Sequence, residues 1–268
     1  SKLGIERNSW QEVQPLRLHG EDLNLLRVLV DGQSVSFRHE DGMLVIDAPE
    51  AQAFTLEIRN TVCPEKNTQL SGLYASGGGL YTQCEAEGFR RITYFLDRPD
   101  VMAVYTVTLR ADKAKYPVLL SNGNLIEQGV LDAGRHFARW HDPFRKPSYL
   151  FAVVAGNLVA REQRVRSRSG SEHLLQVYVK QGDLDKTEHA MNSLVASLVW
   201  DEARFKLPLD LDRFMIVAVS DYNMGAMENK GLNIFNTQFV LASPATATDA
   251  DFDGIESVVA HEYLHNWT

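Results

Sequence analysis

The sequence predicts a β-rich amino-terminal domain, residues 1–157, followed by the first part of a mixed α/β domain, residues 158–268. Three observations support this prediction. Up to about residue 156, short apolar segments are separated by turn signals. Beyond that point, apolar residues also recur at helical spacing, and residues 213–220, RFMIVAVS, predict an inner strand because six successive residues are apolar.

The strands of the first part are predicted from side-chain alternation and turn residues. Residues 101–111, VMAVYTVTLRA, place alternate side chains on one face. Residues 116–124, YPVLLSNGN, predict a strand that ends in an Asn122-Gly123 turn. Residues 129–140, GVLDAGRHFARW, predict two strands around a turn. Several short strands with turns between them indicate an all-β domain.

The second part begins with one more strand, HLLQVYVKQGD at residues 173–183, and then changes to helical spacing. A capping box of Asp185 and Glu188 is predicted to start a helix. The apolar residues that follow at helical spacing are Met191, Leu194, Val195 and Leu198. Residues 237–242, TQFVLA, predict another strand.

Composition limits the classes of function. The chain has 268 residues, a net charge of −8 and a pI near 5.5, which argues against nucleic acid and anionic membranes as main partners. No apolar run approaches the ~20 residues that span a bilayer. The two cysteines, Cys63 and Cys84, are too few for a disulfide framework and suit a reducing cytoplasm. We therefore expect a cytoplasmic protein.

The segment HEYLHNWT, residues 261–268, contains the strongest chemical signal. Asp253 and Glu256 form a second candidate capping box, which predicts a helix running into it. Residues four apart lie on one helix face, so His261 and His265 can bind the same ion. Glu262 is rotated by about 100° from His261, beside the metal, where it suits a general base acting on a zinc-bound water. The alternative is a chance spacing, which arises in roughly one chain in a hundred.

Catalytic zinc usually has three protein ligands. No residue on the same helix supplies the third, and the other six histidines lack a comparable spacing.

A second segment, NMGAMENKGLNIFN at residues 223–236, is rich in Gly and Asn and follows the apolar strand. It contains one acid, Glu228. Composition alone favours a loop between two strands with Glu228 in solvent.

The combination of GAMEN, residues 225–229, with HEYLH resembles the gluzincin aminopeptidases, and most closely their bacterial aminopeptidase N branch. Residues 71–101, SGLYASGGGLYTQCEAEGFRRITYFLDRPDV, and the segments YPVLLSNGN and HEYLHNWT add to the likeness. The resemblance covers essentially the whole chain, and the pair of motifs is far more specific than HExxH alone.

The resemblance implies a role for each matching residue. His261 and His265 would bind Zn²⁺, and Glu262 would be the catalytic general base. Glu228 and Glu85 would hold the substrate α-amine, in a cleft between the two domains. The remaining substrate-binding residues would be Gln83, Met224, Gly225, Ala226, Met227 and Asn229.

The resemblance also implies a saddle-like antiparallel β-sandwich followed by the opening of a thermolysin-like domain. In the family, the third zinc ligand, a glutamate, and a tyrosine that stabilises the oxyanion lie on later segments. We therefore expect this chain to be an amino-terminal fragment that binds zinc weakly and is inactive by itself. The expected intact enzyme is a metalloaminopeptidase of the class called membrane alanyl aminopeptidase. We expect it to be a monomer that binds neither membranes nor nucleic acid.

Two other functions are open. A zinc endopeptidase shares HExxH but needs no amine-binding acids, and a non-catalytic peptide-binding module would retain the acids while the metal motif is vestigial.

Three further features have simpler explanations. The arginines at 161, 164, 166 and 168 are interpreted as the solvated face of a strand and not as a nucleic-acid patch. Residues 76–79, SGGG, predict a flexible hairpin and not a phosphate loop. Cys84 is interpreted as a packing residue, since no histidine is placed beside it in the sequence.

Overall fold

The computed structural model describes residues 1–8, 12–47 and 51–268, which form 19 β-strands, two α-helices and five 3₁₀ helices. They divide into two compact units that interleave along the chain. Unit 1 comprises Ser1–Tyr74, Gln83–Met102 and Lys146–Tyr149, and unit 2 comprises Ala75–Thr82, Ala103–Arg145 and Leu150–Thr268. Because the units interleave, they do not test the single boundary predicted after residue 157.

The strands of the first hundred residues are short. They are β1 (Lys2–Glu6), β2 (Leu16–His19), β3 (Asn24–Val30), β4 (Gln33–Ser34), β5 (Phe37–Glu40), β6 (Met43–Ile46), β7 (Ala53–Thr61), β8 (Gly72–Ser76) and β9 (Gly79–Gln83).

Ten further strands follow, and the last three of them lie between the two helices. They are β10 (Ala103–Asp112), β11 (Val118–Ser121), β12 (Asn124–Val130), β13 (Arg135–Lys146), β14 (Val153–Gly156), β15 (Leu158–Arg166), β16 (Glu172–Lys180), β17 (Arg213–Val219), β18 (Ala226–Met227) and β19 (Leu232–Asn236). The helices are α1 (Glu188–Phe205) and α2 (Asp249–Leu264).

Unit 1 is a β-sandwich of two antiparallel sheets with strand orders β1-β7-β3-β4 and β2-β6-β5. Alternate residues of β7, including Phe54 and Leu56, are buried in one apolar cluster with Leu18 of β2 and Leu44 of β6. Each sheet therefore contributes one apolar face to a shared core, as period-2 alternation requires.

Three further sheets lie wholly or mostly in unit 2. Their strand orders are β10-β13-β12, β11-β14-β9-β8 and β15-β16-β17-β19-β18. The predicted hairpin at residues 129–140 is confirmed, since β12 and β13 pair antiparallel. The SGGG segment is also a hairpin turn, in which Gly77 and Gly78 both have positive φ. Glycine adopts these angles without steric cost.

The five-stranded sheet of unit 2 carries the helices. Strands β16, β17 and β19 are parallel, and α1 makes the crossover from β16 to β17. Every residue of β17 after Arg213 is buried, which confirms the predicted inner strand. Met191, Leu194 and Leu198 of α1 are buried in the same core, as their helical spacing predicts.

Two local predictions are wrong. Residues 237–239 form a 3₁₀ helix, so TQFVLA is not a strand. Helix α1 begins at Glu188 after a 3₁₀ turn, and its N-cap residue makes no side-chain capping bond, so Asp185 and Glu188 are not a capping box. In both segments the tertiary structure outweighed the local sequence preference on which the prediction depended.

The fold class is the predicted one: antiparallel β-sheets followed by the start of an α/β region. Among the described residues, neither helix is both long and apolar enough to cross a bilayer.

Candidate metal and peptide site

Helix α2 carries the HEYLH motif, and its start is fixed by a capping box five residues earlier than predicted. The Thr248 backbone N donates to Asp251 Oδ2 at 2.7 Å, and the Asp251 backbone N donates to Thr248 Oγ1 at 3.3 Å. Asp253 and Glu256 therefore lie inside the helix and do not start it. The capping bonds to Asp251 hold the pKa of its carboxyl below the usual value.

The core-facing side of α2 is formed by Ile255, Val259 and Tyr263, four residues apart. The Tyr263 ring is buried and lies 5.1 Å from the ring of Phe214, and burial raises the pKa of its phenol. This packing sets the rotation of the helix. His261 is consequently exposed, and His265 is half-buried at the helix C-cap.

The two imidazoles converge as the spacing predicts. Nε2 of His261 and Nε2 of His265 are 3.1 Å apart, and the rings are nearly perpendicular. Two nitrogens bound tetrahedrally to one zinc at ~2.0–2.1 Å lie about 3.3 Å apart. The observed spacing therefore fits two ligands of one zinc ion.

Glu262, which lies between the two histidines in sequence, is 7% exposed. Among residues 1–8, 12–47 and 51–268, no group of three or more His, Cys, Asp or Glu side chains is placed to hold a metal. The described residues therefore supply two candidate zinc ligands, His261 and His265, and a carboxylate next to them in sequence.

Two residues of the GAMEN segment, Ala226 and Met227, form the short strand β18, and the residues on either side are irregular, so the loop that composition favoured contains a strand. Ala226 pairs with Phe235 and Met227 with Ile234, so β18 runs antiparallel to β19 at the edge of the sheet. Gly225 O also accepts a bond from Asn236 N at 2.9 Å.

A tight turn joins β18 to β19. Leu232 N donates to Asn229 O at 2.9 Å, and Gly231, third in the turn, has φ +71°. Glycine is favoured at that position of a type II turn.

The side chains of the segment differ in exposure. Met224 and Gly225 are exposed, and Glu228 is half-buried. Met227 and Asn229 are buried, at 0% and 1% exposure. Among the described residues, no hydrogen bond or ion pair involves the Glu228 carboxylate. This acid is therefore accessible and able to accept a ligand.

Strand β18 and helix α2 contact each other within unit 2. Phe239 lies between them: its ring is 3.2 Å from the place a Cβ would take on Gly225 and 3.9 Å from that place on Gly254 of α2. The structure thus brings the segment of Glu228 together with the helix of the two histidines.

The other two predicted site residues, Gln83 and Glu85, belong to unit 1. Gln83 is buried, and its Nε2 donates to the backbone oxygen of Glu85 at 3.4 Å, while the Glu85 side chain is exposed. The Glu85–Ala86 peptide bond is cis. Gly88 closes the loop, with Gly88 N donating to Cys84 O at 2.8 Å.

Two of the simpler explanations agree with the structure. Cys84 is fully buried, and burial raises the pKa of its thiol, which keeps it protonated and unreactive. Arg164 on β15 is exposed and pairs with Glu172 at 2.8 Å, as on a solvated strand face.

Two imidazoles that converge from one helix turn, with a glutamate between them in sequence, are features of the HExxH metallopeptidases. The family comparison matches residues 1–150 to the Peptidase M1 N-terminal domain and residues 189–268 to the Peptidase family M1 domain. The chain belongs to peptidase family M1.

Similar proteins are aminopeptidases. The chain is 56% identical to Aminopeptidase N of Escherichia coli, over 95% of this chain and 29% of that protein. It is 53% identical to Aminopeptidase N of Haemophilus influenzae, over 96% and 30%. A crystal structure of Legionella pneumophila aminopeptidase A in complex with aspartic acid matches 99% of this chain and 32% of that one, with 37% identity and a TM-score of 0.94. The chain spans about 30% of the length of these curated relatives.

The sequence analysis missed the true start of the site helix. Thr248 and Asp251 have the spacing of a capping box, so a search for Thr-x-x-Asp would have found it. It also missed the contacts of Lys230, which join three segments distant in sequence and leave no local signal.

Proposed function

We propose that the protein containing this chain is a zinc-dependent aminopeptidase that releases amino-terminal residues from peptides. The observation that supports this best is the 3.1 Å spacing of the His261 and His265 Nε2 atoms on a helix that contacts the strand of GAMEN. The aminopeptidase relatives support the same class of reaction.

Three residues at the end of helix α2, His261, Glu262 and His265, carry the chemistry in this proposal. His261 and His265 would hold the zinc, which would supply the Lewis acidity that polarises the scissile carbonyl and lowers the pKa of a water molecule. Glu262 takes the proton from the attacking water and passes it to the leaving amine. Its low exposure shields the carboxylate from bulk solvent.

The open edge of β18 is the proposed track for the substrate backbone. Because Gly225 O bonds to β19 and successive residues alternate sides, the N–H and C=O of Ala226 face away from β19. A peptide can pair with them as an added strand. Glu228, two residues on, would then accept hydrogen bonds from the ammonium group of the peptide, which places cleavage one residue from the chain end.

The remaining roles stay predictions. Gln83 and Glu85, which lie in unit 1, are predicted to contribute to amine binding. The third zinc ligand would come from a part of the protein outside these 268 residues. A cytoplasmic location and a monomeric state also stay predictions.

The decisive experiment uses the full-length, zinc-loaded protein and two matched peptides, one with a free amino terminus and one N-acetylated. We expect stepwise release of single residues from the free peptide, followed by mass spectrometry, and no cleavage of the acetylated one. The Glu262→Gln variant should lose about 10²–10⁴-fold in kcat and still bind the peptide, because only the base is removed.

Each rival function predicts a different result. Internal cleavage of both peptides would identify an endopeptidase. Peptide binding without turnover by the unmodified, zinc-loaded protein would identify a binding module. Undiminished hydrolysis by Glu262→Gln would refute the role of Glu262.

The 268-residue chain itself is expected to bind zinc weakly, because two imidazoles make an incomplete site. Equilibrium dialysis should show less than one zinc per chain at micromolar free zinc. One tightly held zinc per chain would contradict this expectation.

A further inference from the structure

Lys230 follows GAMEN in the turn between β18 and β19, and its ammonium group is almost enclosed. Nζ donates to Asp210 Oδ2 at 2.7 Å, to Asn266 Oδ1 at 3.1 Å and to Asn266 O at 3.3 Å. These three acceptors match the three donors of an ammonium group. The Lys230 side chain is only 12% exposed and that of Asp210 only 20%.

The three residues form a closed ring of bonds. Asn266 Nδ2 donates to Asp210 Oδ1 at 3.2 Å, so the Asn266 amide is held at both ends. The rings of Phe144 and Trp267 lie 4.8 Å and 5.4 Å from the Lys230 Nζ, which adds cation–π attraction.

The backbone of Lys230 is itself anchored. Its carbonyl accepts a bond from Asn122 Nδ2 at 2.9 Å, and Asn122 is buried and also accepts from Ala152 N at 2.7 Å. The ammonium therefore extends from a fixed point of unit 2.

Asn266 directly follows the proposed zinc ligand His265. The end of α2 is otherwise held by i→i−3 bonds, from Asn266 N to Tyr263 O and from Trp267 N to Leu264 O. Carbonyls at a helix C-terminus lack intrahelical partners and carry partial negative charge. A cation bonded to Asn266 O satisfies one of these groups and fixes the last turn.

We propose that Lys230 is a positioning residue, which with Asp210 ties the C-terminal turn of the zinc helix to the end of the peptide-binding strand and so holds His265 in register with Glu228. This inference rests on the proposed function. In this proposal, Lys230 contacts neither the substrate nor the metal. Its effect passes through Asn266 to His265, as residues behind metal ligands commonly act.

The test compares four variants of the full-length protein with the wild type. Lys230→Met removes the charge and keeps the length of the side chain, Lys230→Arg keeps the charge, and Asp210→Asn keeps the shape of the acid. The matched control is Lys186→Met, since Lys186 pairs with Asp183 at 2.7 Å in another part of unit 2.

Zinc affinity, measured by competition with a chelator, should fall by about 10–100-fold in Lys230→Met and Asp210→Asn. At saturating zinc, kcat should fall while KM changes less than about threefold. Lys230→Arg should retain most of the zinc affinity and most of kcat. Amide hydrogen exchange of residues 261–268 in zinc-free protein should speed up in both Lys230→Met and Asp210→Asn, and Lys186→Met should match the wild type throughout.

A purely structural ion pair gives a different pattern. Lower thermal stability with unchanged zinc affinity, kcat and exchange in Lys230→Met would overturn the proposal. If that variant does not fold, the same result with Asp210→Asn overturns it equally. A wild-type protein that binds zinc but does not hydrolyse peptides would instead refute the proposed function, and the zinc-affinity and exchange measurements would still decide on Lys230.

Discussion

The two segments proposed to bind the substrate amine are built differently. In unit 2, Glu228 follows an edge strand whose register is set by pairing with β19. In unit 1, Glu85 is exposed in the loop that follows β9. Contacts of Gly88 with Cys84 and Gln83 close this loop. One acid is thus held by a regular ladder, and the other by a tight irregular turn.

This difference indicates which substitutions would displace each acid. A ladder tolerates many side-chain changes because its bonds are made by the backbone. A tight turn depends on single residues that permit close approach. The position of Glu85 therefore depends on Gly88, and that of Glu228 depends on the pairing of β18 with β19.

Among the changes that compare these two segments, the largest expected effect comes from removing the acids themselves. Glu228→Gln in the full-length protein should lower kcat/KM for a peptide with a free amino terminus by roughly 30- to 1000-fold, which corresponds to about 2–4 kcal/mol, because a charged hydrogen-bond acceptor for the ammonium is lost. Glu85→Gln should act in the same direction if Glu85 shares this role. Steady-state kinetics on the same peptide measure both.

Matched controls are available in each region. Glu256→Gln on α2 and Glu87→Gln in the loop remove exposed acids and should change kcat/KM by less than about twofold. If Glu228→Gln behaved like Glu256→Gln, the amine-binding role of Glu228 would be excluded.

The next effect tests the turn of unit 1. A Cβ on Gly88 would lie 2.3 Å from Gln83 O and 2.9 Å from Cys84 Cα, so the backbone must shift. Gly88→Ala should destabilise the protein by about 1–3 kcal/mol and lower its Tm by several degrees. Calorimetry measures this.

The control is Gly4→Ala, since a Cβ on Gly4 has no neighbour within 4 Å. It should leave Tm unchanged or raise it slightly. Equal Tm values for the two variants would show that the turn does not depend on Gly88.

A smaller effect is expected at the start of α2. Thr248→Ala removes the side-chain half of the capping box and should cost about 1 kcal/mol of stability, whereas Thr246→Ala, in the exposed loop before it, should cost little. Chemical denaturation of both variants at pH 7 checks this.

The cap should also depend on pH. The capping bonds lower the pKa of Asp251 in the folded state, so its contribution is present above the usual carboxyl pKa and is lost as the pH falls through the folded value. The difference between Thr248→Ala and the wild type should therefore shrink at acidic pH. A pH-independent difference would exclude Asp251 as the partner.

The smallest effect concerns Cys84, between Gln83 and Glu85. Burial raises the pKa of its thiol, so a thiol reagent at pH 8 should label the exposed Cys63 in the native chain and Cys84 only after denaturation. Mass spectrometry of the labelled chain shows which thiol has reacted. Labelling of both cysteines at equal rates would show that the loop opens in the native state.

The sequence by itself determined the features that repeat along one element. The helical spacing of His261 and His265, the unbroken apolar run of β17 and the alternation within β7 are local patterns, and a helix or strand turns such patterns directly into a face. The family likeness also rests on short contiguous motifs, which is why it was visible in the sequence.

Only the tertiary structure decided which distant residues meet. The edge position of β18 depends on its pairing with β19, and the ring of Lys230, Asp210 and Asn266 joins segments up to 56 residues apart. The 3₁₀ helix at residues 237–239 likewise replaced a predicted strand. Contacts of this kind are chosen by packing and by the satisfaction of buried polar groups, which no local pattern records.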